Sequence, residues 1–164
     1  MNRFLAICIV AVIAISGVVW SMTVTAQQKG ASTLLAFPSD YRTWTHTHTN
    51  IIDDAKDPFY GYHNVYVNPV GAKAAMDKGA YPDGTKLVVA FYAVQKNGTL
   101  ITQGNHLSTA LMVKNKAQFA STGGWGYALF GPDNVAKPID QAKDCYGCHE
   151  PKKATDYVFS SFVK

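Results

Sequence analysis

Hydrophobic and polar positions change their pattern several times along the chain. From Phe4 to Trp20 the sequence is a nearly continuous apolar run, preceded by Arg3 and followed by small residues ending in Val24-Thr25-Ala26. A basic, then apolar, then small-residue order is that of a secretory signal peptide cleaved after Ala26. The alternative is an uncleaved membrane anchor, because about 17 apolar residues lie at the short end of what spans a bilayer. Residues 27–38 have no periodicity and read as an extended leader. From residue 39 onward the pattern becomes that of a folded domain. Ser39 or Asp40 can cap a short helix over 41–44. His46, His48 and Asn50 alternate with Thr, as in a strand or loop with one polar face. Residues 63–67, HNVYV, are a strand signal. Asn68 and Pro69 supply an N-cap and a first helical residue, 70–78 has helical composition, and Gly79 supplies the stop.

The Tyr81-Pro82-Asp83-Gly84-Thr85 turn then feeds residues 86–95, KLVVAFYAVQ, a strand expected to be buried on both faces for much of its length. Lys96-Asn97-Gly98 is a hairpin turn, returning antiparallel over 99–103. Residues 107–114 form a further strand, 115–121 a short helix, and 123–130, GGWGYALF, an aromatic strand opened by glycines. After Pro132 the chain reads as helical toward Cys145, and 154–162 as a closing helix. The expected fold is α+β: mainly an antiparallel sheet of four or five strands with short helices, the functional helix coming last. One domain follows the leader, over 39–164.

Composition narrows this reading. The chain has 164 residues, 48% of them hydrophobic and 16% charged, which suits one domain with a real core and excludes disorder. Loss of Arg3 with the signal leaves 14 basic and 11 acidic residues without a basic block, which argues against nucleic-acid binding. Three cysteines are too few for a disulfide scaffold and odd in number for a secreted protein. Cys8 leaves with the signal, so only Cys145 and Cys148 remain in the exported domain.

That pair stands in Cys145-Tyr146-Gly147-Cys148-His149, a C-x-x-C-H sequence that reads as c-type haem attachment. One helical turn puts both sulfurs where they can form thioethers with the two haem vinyl groups, and the adjacent His149 reaches the iron. A redox C-x-x-C would open a helix early in a βαβ unit, and zinc would need further ligands that His46, His48, His63 and His106 do not supply at knuckle spacing. Small electron-transfer cytochromes usually carry the motif near the N-terminus with a Met ligand downstream. Here only fifteen residues follow His149, and none is Met. Met76 and Met112, upstream, are the remaining candidates for a second ligand, and each is as readily a core residue. An open sixth position, suited to binding and chemistry, follows. A four-helix cytochrome c′ is disfavoured because KLVVAFYAVQ followed by KNG is a hairpin pattern.

The ordered motifs Tyr41-Arg42-x-Trp44, Val65-Tyr66-Val67-Asn68-Pro69, Pro82-Asp83-Gly84-Thr85, Val113-Lys114 followed by Phe119, Gly123-Gly124-Trp125-Gly126, the C-x-x-C-H and Asp156-Tyr157-Val158-Phe159 run through the whole domain. As a set this resembles the cytochrome P-460 family, which includes the β-sheet cytochromes c′. The resemblance implies a homodimer in which each subunit holds one haem c through Cys145 and Cys148, with His149 on the iron and an open distal side. It implies one of two activities. Cytochromes P-460 oxidise hydroxylamine to nitric or nitrous oxide, pass electrons to a soluble acceptor, and carry a Lys cross-link to the porphyrin. The β-sheet cytochromes c′ lack the cross-link and bind nitric oxide or carbon monoxide without catalysis under a Phe-lined distal face.

The cross-linking Lys is expected on the helix before the P-D-G-T turn, near Met76 and Asp77, which makes Lys78 the nearest candidate and Lys73 the other. Lys78 is equally suited to a solvated place in the last helical turn. A distal proton acceptor would have to come from His46, His48, His63, His106, Tyr127 or an Asp, since the one Glu, Glu150, lies beyond the motif. Asp133, just after Phe130, is the Asp nearest the aromatic strand. Phe59, Phe91 and Phe130 are the candidates for an apolar cap, and each is also an ordinary core aromatic.

Overall fold

A computed structural model describes residues 35–163. The expected signal peptide, with Cys8, lies outside the described residues. Among those described, no helix is long and apolar enough to cross a membrane.

β-branched and aromatic runs separated by turn residues fold into a six-stranded meander in which each strand pairs antiparallel with the next. The strands are β1 (Thr45–Ile52), β2 (Gly61–Val67), β3 (Lys86–Asn97), β4 (Leu100–Lys114), β5 (Trp125–Phe130) and β6 (Ala136–Lys137). The ambiguous Thr/His segment is therefore a strand, at the sheet edge. The two strands expected over 99–103 and 107–114 are one, β4. Register shifts opposite it, between Phe91 and Val94, take up the irregularity at Gly104-Asn105 instead of ending the strand. β6 is the strand added to the expected count. It occupies part of the stretch read as helical, because Gly131 N–H donates to Val135 O at 2.9 Å and Asn134 turns back at φ 63°.

Helix α1 (Pro69–Asp77) forms as the sequence dictates. Asn68 Oδ1 accepts from Gly71 N–H and from Lys86 N–H, tying the helix start to β3. The left-handed stop is taken by Lys78 itself, at φ 55°, and Gly79 N–H closes on Ala74 O at 3.0 Å. The short helix expected over 115–121 shrinks to a 3₁₀ turn, Ala120–Thr122. Toward the C-terminus a helical run starts at Gln141 with a π-helical turn, capped by Asp140. It continues through α2 (Gly147–His149) and ends in a 3₁₀ stretch, Glu150–Thr155. The closing helix over 154–162 does not form. Asp156 and Tyr157 adopt left-handed φ values of 52° and 66°, and Val163 N–H then donates to Thr47 O at 3.1 Å beside β1.

The sheet carries a core on each face. On one, Val88, Ala90, Tyr92, Leu111, Val113 and Phe130 are covered by Tyr41 and the half-buried Leu35, Phe37 and Trp44. On the other, Val67, Leu87, Trp125 and Tyr127 meet Ala75 of α1, Tyr81, Val158 and the half-buried Cys145 and Tyr146. β3 serves both faces only in its first half; from Gln95 it is exposed.

The C-terminal run is fastened to the second face by one charged group. Lys114 Nζ reaches Asp156 Oδ1 at 2.6 Å, and their side chains are 2% and 16% exposed, so this is a buried pair rather than a screened surface one. Asp156 Oδ2 accepts from Tyr81 N–H at 2.9 Å, and its carbonyl accepts from the Trp125 indole at 2.9 Å. These contacts offset the cost of two successive left-handed residues, about 1–2 kcal/mol each.

Asp156→Ala is accordingly expected to lower unfolding stability by about 3–5 kcal/mol in urea titration, because it strands a buried ammonium; a loss within the ordinary surface range would contradict the clasp. Gly71→Ala tests the seat of α1. Helix propensity alone favours Ala by about 1 kcal/mol, but a Cβ there would stand 2.4 Å from Thr85 Cγ2 and 2.8 Å from Val67 Cγ2. The substitution is expected to lower the melting temperature, and a rise would contradict this packing.

Candidate functional site

Cys145 and Cys148 are free thiols one helical turn apart, the first half-buried and the second exposed. Burial pushes the Cys145 thiol up to about 11, helped by the neighbouring Asp144 and Cys148. His149 follows at the end of α2. Its ring lies edge-on to Phe159 at 4.8 Å and tilted against Tyr127 at 5.2 Å. His149 Nδ1 lies 2.7 Å from Tyr157 O. A carbonyl only accepts, so Nδ1 is the donor and Nε2 keeps its lone pair. Burial lowers the pKa of this imidazole, with the Tyr157 bond acting in the opposite sense.

Two thiols at helical spacing beside an imidazole with a free, oriented Nε2 form the donor set of a c-type haem, and the residues present fit that group. A structural metal fits worse: among the described residues no three His, Cys, Asp or Glu converge to hold an ion. A surface for the macrocycle is also at hand. Strand register puts Val65, Val89, Ala110 and Leu129 on the same sheet face as Met112 and Tyr127, with Phe91, His63 and Ser108 in the next row. Val89, Ala110, Leu129 and Phe91 are only half-buried there.

The expected distal groups separate under this geometry. Phe91 is on the motif's face, its ring 4.7 Å from that of His63. Phe130 is not: it lies on the opposite face, edge-on to Phe37 at 5.2 Å. Phe59 is half exposed in the β1–β2 loop, and its carbonyl binds His63 Nε2 at 2.5 Å. Asn50 approaches the other nitrogen of His63 at 3.4 Å, so that ring braces the loop. His46 packs on Tyr66, and His106 on Tyr92, both in the opposite core. His48 faces the motif's side from the edge strand, its pKa lowered by burial and then by His46 and His63.

Asp133 is exposed in the β5–β6 turn, where its carboxylate caps Val135 N–H at 3.1 Å; it serves the turn its neighbours require. Tyr127 belongs beside His149 rather than opposite it. Its hydroxyl is buried without a partner, and burial raises its pKa strongly. Met112 is half-buried against the Tyr127 cluster, and Met76 is exposed on α1. Lys73 pairs with Asp77 on the α1 surface. Lys78 lines an open cleft whose other wall is Lys153–Asp156.

Sequence reasoning assigned no role to Lys114, Gly123, Asp156, Tyr157 or Phe159, although the first four stand in the motifs that carry the resemblance and Phe159 closes the last of them. Their roles depend on pairings across 31 and 42 residues that no local pattern contains.

A family model described as Cytochrome P460 matches residues 38–160, from the segment under the sheet to the tail beyond His149. A search of the curated proteins returned no match. The match covers most of the chain and includes the clasp, both cores and the cysteine motif, so the chain belongs to the cytochrome P460 family of haem-binding cytochromes.

Proposed function

We propose that this cytochrome holds one haem c through Cys145 and Cys148, with His149 Nε2 as axial ligand, and binds small uncharged ligands such as nitric oxide or carbon monoxide on the open side. When bound, the haem supplies an iron with one free axial position. The protein's own residues tether it at the two sulfurs, fix the imidazole tautomer through Tyr157 O, and exclude water with Val89, Ala110, Leu129 and Phe91. The observation that carries the reading is the apolar row of Val89, Ala110, Leu129 and Phe91 left half-buried beside the motif. Among the polar groups of this face, His63 has both nitrogens engaged, and His48, whose Nδ1 meets Thr47 Oγ1 at 3.3 Å, stands on the edge strand. Oxidation of an N–H substrate needs a group to take its protons; reversible capture of a diatomic ligand needs none. On this reading the protein works outside the cytoplasm as a homodimer.

A second reading, hydroxylamine oxidation to nitric or nitrous oxide with electrons passed to a soluble acceptor, is favoured by one observation. Lys78 has no ion-pair partner among the described residues and borders the C-terminal run that carries the motif.

Mass spectrometry and absorption spectra of the exported, haem-loaded protein separate these readings. The proposal expects haem mass on the peptide containing Cys145 and Cys148, an unmodified peptide over 70–79, ferrous binding of carbon monoxide and nitric oxide, and no hydroxylamine turnover. A Lys78-linked haem peptide with a strongly red-shifted ferrous Soret band would establish the second reading instead. Cys145→Ala with Cys148→Ala is expected to abolish attachment; persistence of covalent haem would overturn both.

A further inference from the structure

A buried lysine is a costly way to hold a chain end, and the path leading from it suggests what it does. Lys114 Nζ contacts Asp156 Oδ1 at 2.6 Å and Gly123 O at 3.3 Å, and stands over the Trp125 and Tyr157 rings at 4.8 and 5.9 Å. Asp156 and Tyr157 are the two left-handed residues, and Tyr157 O is the acceptor for His149 Nδ1. We infer that the Lys114–Asp156 pair is a positioning device for His149: it holds the turn at Asp156 and Tyr157 left-handed, keeps the Tyr157 carbonyl on Nδ1, and so sets the plane and donor strength of the imidazole. The inference rests on His149 being the axial ligand.

Three observations support it. First, a helical continuation is the competing conformation, because the helical run reaches Thr155 and left-handed backbone is unfavourable for Tyr157, although an Asp tolerates it better. Continuing the helix would turn the Tyr157 carbonyl along the helix axis, away from His149. Second, the contacts that oppose this converge on Asp156: Lys114 and Tyr81 N–H on its carboxylate, the Trp125 indole on its carbonyl. Third, the Tyr157 ring fills space that only a glycine leaves. A Cβ on Gly123, which sits at φ 67°, would be 2.4 Å from Tyr157 Cζ. A carbonyl accepting from Nδ1–H makes an iron-bound imidazole a stronger donor. Loss of that bond weakens the donor and frees the ring to rotate.

The test uses the full-length exported, haem-loaded protein and its Lys114→Met, Lys114→Arg and Asp156→Asn variants. Thioether attachment and His149 ligation are first established in the parent protein; their absence there would refute the underlying reading, not this one. With both present, the inference expects the ferrous iron–histidine stretch of Lys114→Met to move to lower frequency and its reduction potential to rise. Asp156→Asn is expected to shift in the same direction, and Lys114→Arg by less, since it keeps the charge. Arg and Asn are also the conservative changes, so they supply the result if Lys114→Met does not accumulate. Folded Lys114→Arg and Asp156→Asn proteins with both the parent frequency and the parent potential would overturn the inference and leave the pair a plain structural clasp.

Discussion

Lys114 carries its charge into the place where the end of β4 meets Trp125, 98% shielded from solvent, and the Asp156 carboxylate is what answers it there. A buried ammonium without its partner is far more costly than either residue is worth at the surface. That single constraint fixes where the chain after His149 must pass. It brings Asp156 under Tyr81 and Trp125, forces the left-handed turn, and sets the Tyr157 carbonyl on the imidazole. The two cysteines and the histidine sit on a short run of π, α and 3₁₀ turns. The framework of the site is therefore the sheet, and the run carrying Cys145, Cys148 and His149 is a strap held onto it.

The same arrangement explains the division of the two faces. The N-terminal aromatic segment covers the face bearing Val88 and Leu111, leaving the opposite face for α1 and the strap. α1 approaches closely because Gly71 admits Thr85 and Val67. The strap covers only the Trp125 and Tyr127 end, so the apolar row of Val89, Ala110 and Leu129 remains half open beside the motif. A half-open apolar row on a well-packed sheet is unusual for a finished core and natural for one completed by a flat apolar group. Of the polar residues of that face, His63 lies one row farther along on β2, engaged with the loop it braces, and His48 stands on the β1 edge of the apolar row itself, opposite Val65.

Much of this was legible in the sequence wherever the determinant is local. The β3–β4 hairpin follows from Asn97-Gly98, α1 from Asn68-Pro69, and the cofactor from five contiguous residues, Cys145 to His149. Reading failed where a long-range contact outweighs local preference. Residues 154–162 read as helical, yet the chain turns left-handed at Asp156 and Tyr157, where Asp156 meets a lysine 42 positions upstream. Phe130 looks like a cap for the ligand, but strand alternation sends it to the other face against Phe37. Asp133, read as a base because it follows the aromatic strand, also caps the tight return into β6 with one carboxylate oxygen. Tyr127 has the chemistry of a distal group, yet its ring lies against His149 itself. In each case residue type was informative about chemistry and silent about which side of the sheet it served.

The central claim is that His149 presents Nε2 because Tyr157, held by Asp156, occupies Nδ1. A high-resolution crystal structure of the haem-loaded protein tests it most directly. The account predicts iron bound to His149 Nε2, Nδ1 within hydrogen-bond distance of Tyr157 O, and Asp156 and Tyr157 still left-handed against Lys114. A structure with His149 bound to iron but Nδ1 facing solvent, or with the turn at Asp156 relaxed into helix, would contradict it.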